Sequence, residues 1–289
     1  MLVVNTVKAL QETLTAHRLK GKKTALVPTM GNLHKGHLQL VKTAQKHADI
    51  VVVTLFVNPM QFGANEDLDR YPRTFRSDCD QLKTLDTDIL FAPVIDEIYP
   101  RGGDNTTQVR VPHVTTVLCG ASRPGHFDGV TTIVTKLFNI TRADVAIFGE
   151  KDYQQLAVIR RMVDDLNIPI SIIGEPIIRE TDGLAMSSRN GYLSKEQRLL
   201  APRFHGILTH IKQRIIDGNR DFSKLETTAK NQLCELGFKP DYLHIYQHDE
   251  LRPATINDTK LVIVAAVFVG STRLIDNLHV HCTETTVLI

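Results

Sequence analysis

Val27-Pro28-Thr29-Met30-Gly31-Asn32-Leu33-His34-Lys35-Gly36-His37 joins an apolar, strand-like run to an amphipathic run that begins at Leu38. Its core is His-x-Gly-His. Two imidazoles three residues apart, separated by a glycine, share one turn when they open a helix. The N–H groups of a helix's first turn lack partners inside the helix, and the positive end of the helix dipole lies there. The stretch therefore reads as a strand exit followed by a phosphate-cradling helix start, which points to nucleotide chemistry. A zinc site is the competing reading of His-x-x-His, but no Cys or acidic ligand stands at useful spacing, and no metal ligand is assigned. His17, His47, His113, His205, His210, His248 and His279 read as surface or core residues.

Outward from this stretch, short β-rich runs alternate with helical patterns. Strands are expected at 25–28, 50–56, 88–92, 145–148 and 170–173. Between them, Leu38, Val41, Ala44 and Ala48 make one apolar stripe, and Phe75, Cys79, Leu82 and Leu85 another. Val134, Leu137 and Phe138, then Leu156, Ile159, Met162, Val163 and Leu166, continue the series. Such alternation predicts an α/β fold, a Rossmann-like doubly wound parallel sheet with ligands at the carboxyl ends of its strands. Residues 101–125 interrupt the pattern, and 107–111 with 115–118 are expected as a hairpin-like excursion. After about Pro176 the texture changes. Helical patterns at 195–216 and 222–236 precede short strands near 242–246, 261–269 and 273–276. The expected organisation is a Rossmann-like domain over 1–176 and a smaller α+β domain over 177–289.

The bulk properties narrow the function classes. A net charge of +2, with scattered basic residues and no basic-aromatic surface, argues against nucleic acid as the partner. The longest apolar run, 261–269, is too short to span a bilayer, and Asn5 and Lys8 precede any signal-peptide core. Four widely spaced cysteines without a C-x-x-C pair read as reduced thiols of a cytoplasmic protein.

Three further polar clusters follow strand-like runs or flank the domain boundary. Asn58 and Gln61, in Val57-Asn58-Pro59-Met60-Gln61-Phe62-Gly63, offer amide donors and acceptors at a strand exit; an Asn-Pro turn is the plainer reading. Gly149, Glu150, Lys151 and Asp152 open the next helix, where Lys151 is a mobile cation suited to phosphate. Met186-Ser187-Ser188-Arg189 supplies two hydroxyls and a guanidinium on a glycine-flanked loop, a set suited to clamping phosphate oxygens. Arg70, Tyr71, Arg73 and the Arg123–Gly129 segment are lesser basic loops.

Taken together these blocks resemble the pantothenate synthetase (pantoate–β-alanine ligase) family. The matching text is PTMGNLHKGH at 28–37, FVNPMQF at 56–62, RYPRT at 70–74 and the FAP…EIYP block at 91–100. It continues with ASRPGHFDGV at 121–130, FGEKDYQQL at 148–156 and GLAMSSRNGYL at 183–193. The resemblance implies an ATP-dependent ligation of pantoate with β-alanine through pantoyl adenylate, with Mg²⁺ carried by the ATP phosphates and a homodimeric assembly. It also implies roles for residues. Met30, Gly31, Asn32, Leu33, His34, Lys35, Gly36 and His37 would line the ATP site. Gly149, Glu150, Lys151, Asp152, Ile178, Met186, Ser187, Ser188 and Arg189 would complete it. Gln61 and Gln155 would hold pantoate, and Gln61 also β-alanine. His34, His37 and Lys151 are the expected catalytic groups, with protonated imidazole the more effective donor. Lys35 departs from the family, which often carries an acid there, and its side chain is expected to point away from the ligand. A nucleotidylyltransferase of the same His-x-Gly-His superfamily remains the alternative.

Overall fold

The computed structural model describes residues 1–63 and 66–282. Six strands form one parallel sheet: β1 (Leu2–Val4), β2 (Thr24–Thr29), β3 (Ile50–Leu55), β4 (Ile89–Phe91), β5 (Val145–Gly149) and β6 (Ser171–Glu175). Their order is β1-β4-β3-β2-β5-β6. The central strands β2 and β3 run in register from Thr24 opposite Ile50 to Thr29 opposite Leu55. Ala25–Val27 and Val51–Val53 are buried, as expected of parallel strands covered on both faces.

Helices α1 (Val7–Arg18), α2 (Lys35–His47), α3 (Phe75–Lys83), α4 (Ile95–Ile98), α5 (Cys119–Ser122), α6 (His126–Thr141) and α7 (Tyr153–Asp165) accompany this sheet. The apolar stripe of α2 meets the sheet through Leu40, Val41 and Ala44, which pack with Val27, Val53 and Ile147. From β2 the chain steps outward to β3 and β4, then returns to place β5 on the other side of β2. That reversal makes the carboxyl ends of β2 and β5 a switch point, where ligands of open α/β sheets bind.

The chain divides into two compact units. One comprises Met1–Glu150 with Gln154–Ile177; the other comprises Lys151–Tyr153 and the chain from Ile178 onward. The second holds an antiparallel sheet of β7 (Lys239–Gln247), β8 (Lys260–Val269) and β9 (Thr272–His281). Helices α8 (Lys195–Leu200), α9 (Pro202–Ile216) and α10 (Phe222–Glu235) belong to it, with α10 packed on β7 and α9 on β9. Its core joins Phe204, Leu208 and Ile211 to Leu243, Ile263 and Val267. Among the described residues no helix is long and apolar enough to cross a membrane.

Three local expectations fail for physical reasons. The long helix expected at 195–216 is two, α8 and α9, because Pro202 takes the first position of α9, where its missing N–H breaks no bond. The hairpin expected within 101–125 is absent. Backbone groups there find side chains instead: Val109 N–H donates to Thr132 Oγ1 (3.0 Å), and Gln154 bonds Cys119 N–H (2.9 Å) and the Val114 and Val117 carbonyls. In α3, Phe75 is half-exposed while Asp78 is buried in the inward face, which serves the site below. Both β1 and α1 lie before the first expected strand and went unread.

Candidate active site

The β2 exit is built from backbone geometry. Thr29 Oγ1 donates to the Thr54 carbonyl (2.6 Å) and accepts from Gly31 N–H (3.2 Å). Gly31 has φ +87° and Asn32 φ +52°, a left-handed pair for which glycine and asparagine are the suited residues. A Cβ at Gly31 would stand 3.2 Å from Asp78 Oδ2. The Asp78 carboxylate crosses from α3 to accept Asn32 N–H (3.0 Å) and Leu33 N–H (2.8 Å), and Thr74 donates its hydroxyl to it as well. Two loop amides that water would otherwise satisfy are thus held from below.

His34 and His37 form the cap of α2. His34 Nδ1 accepts Gly36 N–H (3.1 Å), and His37 Nδ1 accepts His34 N–H (3.4 Å). This is a capping box made of imidazoles, with ring centroids 4.1 Å apart. A ring that accepts at Nδ1 carries its proton at Nε2 and cannot simultaneously be imidazolium, which has no acceptor. In this cap each ring accepts at Nδ1, the arrangement that places a ring N–H at Nε2. Lys35, between them, is exposed.

Other expected residues of this unit gather nearby. Gln61 closes a 3₁₀ turn, Pro59–Gln61, after β3, and its Nε2 lies 3.1 Å from Met30 Sδ. Gly149 ends β5 and Glu150 follows it, on the other flank of the switch point. Gln155 is half-buried on α7, whereas Gln154 is buried and committed to the 114–119 segment. A cavity of about 570 Å³ opens beside Met30 and Gly31, lined also by Phe56, Val57, Thr74 and Asp78.

In the second unit, Ile178 opens a short antiparallel excursion. Arg179 bridges to Ala185, and Met186 N–H donates back to the Ile178 carbonyl (3.0 Å). Arg179 makes a bidentate pair with Asp276 of β9 (2.7 and 2.8 Å) and bonds the Gly183 carbonyl (3.1 Å). Burial alone would push the Asp276 carboxyl up; His205 and Arg179 beside it outweigh that and hold it below the usual carboxylate range. Ser187 then caps a 3₁₀ turn, Ser188–Tyr192, and Asn190 Nδ2 ties that turn to the Ala185 carbonyl (3.0 Å). Lys151, Ser187, Asn190 and Asp276 border one small crevice, so two sequence-distant expected groups, Lys151 and Ser187, meet here. Asn277 Nδ2 donates to the Lys151 carbonyl (3.1 Å), fixing the backbone of that lysine. Asp152 is exposed.

A family profile described as pantoate-beta-alanine ligase matches residues 2–279. The chain belongs to the pantoate–β-alanine ligase family. A pantothenate synthetase of Pseudomonas putida is 55% identical over 286 residues, 99% of this chain and 100% of that protein. One of Azotobacter vinelandii is 54% identical over 280 residues, 97% and 99% of the two chains. The crystal structure of pantothenate synthetase from Thermus thermophilus superposes with a TM-score of 0.90 at 41% identity, covering 96% of this chain and 99% of that one. A pantoate-beta-alanine ligase from Francisella tularensis, complexed with beta-gamma ATP and beta-alanine, gives a TM-score of 0.82 at 35% identity, covering 96% and 97%.

For a ligase of this family, sequence reading found the loops and missed their braces. Asp78, Arg179, Asp276 and Asn277 carry no motif of their own. Asp78 alone left a signal: an acid on the inward face of an amphipathic helix needs a buried partner.

Proposed function

We propose that the protein condenses (R)-pantoate with β-alanine to pantothenate, converting ATP to AMP and pyrophosphate. A pantoate carboxylate oxygen attacks the α-phosphorus, the α–β bridging P–O bond breaks, and pyrophosphate leaves. The β-alanine amine then attacks the acyl carbon of pantoyl adenylate, the C–O bond to AMP breaks, and the amine's proton is lost. A free carboxylate is a poor acyl donor because oxide leaves badly, whereas AMP leaves well. The displacement at phosphorus needs alignment and charge neutralisation more than covalent help.

One observation carries this reading: the match to the ligase family spans residues 2–279, taking in every loop assigned a role. The geometry supports it. The Nε2–H groups of His34 and His37 are preset donors for phosphate oxygens as charge shifts toward pyrophosphate. Met30–Leu33, Gly36 and the backbone of Lys35 line the nucleotide with them. Gly149, Glu150, Lys151, Asp152, Ile178 and the 186–189 loop complete the ATP contacts, with Lys151 stabilising charge. Gln61 binds pantoate and β-alanine, and Gln155 binds pantoate. Mg²⁺ would enter with ATP, held largely by the phosphate oxygens, and would supply neutralisation of their charge. The enzyme works as a homodimer in the cytoplasm.

The test is AMP formation with ATP, pantoate and β-alanine, each acid or amine omitted in turn. AMP should require all three, and ATP–pyrophosphate exchange should require pantoate alone. Pyrophosphate release without pantothenate would make the enzyme a nucleotidylyltransferase instead.

A further inference from the structure

Asn58 is 1% exposed, and two backbone groups dictate which way its amide faces. The Gly129 carbonyl can only accept, and Asn58 Nδ2 lies 3.1 Å from it; Met60 N–H can only donate, and Oδ1 lies 3.4 Å from that. Gly129 comes this close because it lacks a side chain: a Cβ there would stand 2.2 Å from the Met60 carbonyl oxygen. With the amide so oriented, the buried Tyr99 hydroxyl, 2.8 Å from Oδ1, must donate. Burial pushes the Tyr99 phenol well above its ordinary value, so that proton stays in place. Phe56 lies against the phenol ring (6.0 Å between centroids), and Lys136 Nζ stands over it at 5.5 Å.

The second N–H of Asn58 Nδ2 goes to Gln61 Oε1 (3.1 Å). An amide whose oxygen is thus engaged turns its NH₂ to the opposite side, where Gln61 Nε2 meets Met30 Sδ at 3.1 Å. A thioether is a weak acceptor, readily replaced by a carboxylate or hydroxyl oxygen. The turn's own backbone is held too: the Gln61 carbonyl lies 2.8 Å from His126 Nδ1 and accepts from Arg123 (3.3 Å). Donation therefore runs in one direction, from Tyr99 through Asn58 to Gln61. A reversed Gln61 would set its carbonyl oxygen against an acid's oxygens.

We propose that Tyr99 is a positioning residue for acid recognition: acting through Asn58, it holds Gln61 with its NH₂ presented to an oxygen of the hydroxy-acid substrate. This rests on the assignment of Gln61 to pantoate under the proposed function.

The test is pantoate-dependent ATP–pyrophosphate exchange with Tyr99→Phe, which removes the hydroxyl and keeps the ring. The pantoate KM should rise about tenfold, the value of one buried hydrogen bond, while the ATP KM stays within about twofold. A merely structural role would lower the active fraction, and so the maximal rate, without separating the two KM values. A Tyr99→Phe enzyme whose pantoate and ATP KM values are both unchanged, or shift together, overturns the proposal. Should Tyr99→Phe fail to fold, Gln61→Glu decides the donor direction, since it replaces the NH₂ by an acceptor on the half-exposed turn. Its pantoate KM should rise at least as far, and an unchanged value overturns the proposal. Wild-type enzyme without pantoate-dependent exchange would instead defeat the proposed function itself.

Discussion

Two buried aspartates brace two loops, and they do it differently. Asp78 holds the β2 exit by accepting the backbone N–H groups of Asn32 and Leu33. Asp276 holds the 178–186 excursion by pairing with the Arg179 guanidinium, which in turn grips the Gly183 carbonyl. The first brace needs only a carboxylate, because every peptide supplies N–H donors. The second needs two matched side chains 97 positions apart, and removing either leaves a charge in a poorly solvated place. The β2 exit also keeps strand and cap bonds of its own. The 178–186 excursion has a single bridge, Arg179 to Ala185, and a few turn bonds, so the Arg179–Asp276 pair is its main tie to β9.

The largest effect should come from Asp276→Ala. Stranding the Arg179 guanidinium should cost about 3–5 kcal/mol, read by chemical denaturation, with the ATP KM rising as the 186–189 loop loosens. Its pH dependence has a definite sign. A carboxyl whose folded pKa is lowered stabilises the protein above its unfolded value, roughly 3.9, and loses that contribution as pH falls through the folded value. The stability gap between wild type and Asp276→Ala should thus be full at neutral pH and shrink only below about pH 4. A constant gap across that window would remove the ion pair from the comparison.

His37→Ala follows in size. It deletes an Nε2–H donor and half of the cap, and should slow adenylate formation by on the order of 10²-fold in single-turnover measurements. Near-wild-type adenylation would show that the imidazole is a cap and nothing more. Asp78→Asn is milder, because one amide oxygen can still accept one of the two loop N–H groups. A loss of about 1–2 kcal/mol is expected in denaturation; a loss equal to that of Asp276→Ala would erase the distinction between the braces. Lys35→Glu should have the smallest effect, a gain of about 0.5 kcal/mol from an acid in the first turn of α2, measured as a small rise in melting temperature. Any larger change in the rate of pantothenate formation would place that side chain on the nucleotide.

The legible parts of this molecule were those written locally. The core strands β2, β3, β4 and β5 announce themselves as apolar runs because a parallel sheet buries both faces. The His-x-Gly-His turn, the 149–152 cluster and the 186–189 loop stand out because each packs several polar groups into a few residues. The 101–125 segment misled because its β-rich composition says nothing about partners. Its backbone is satisfied by Thr131, Thr132 and Gln154 on later helices rather than by a second strand. The Phe75 stripe misled because periodicity cannot tell an inward apolar face from one that carries a buried, bonded acid.

The kind of sheet, the chemistry of the loops that leave it and the family those loops resemble are written along the chain, since each depends on residues adjacent in it. How the functional groups are aimed is set by packing. The facing of Gln61 follows from Tyr99 and Gly129, and the setting of Lys151 and Ser187 from Asn277, Arg179 and Asp276. Hydrogen-bond direction is a property of pairs in space, and these partners are separated by tens of residues of chain.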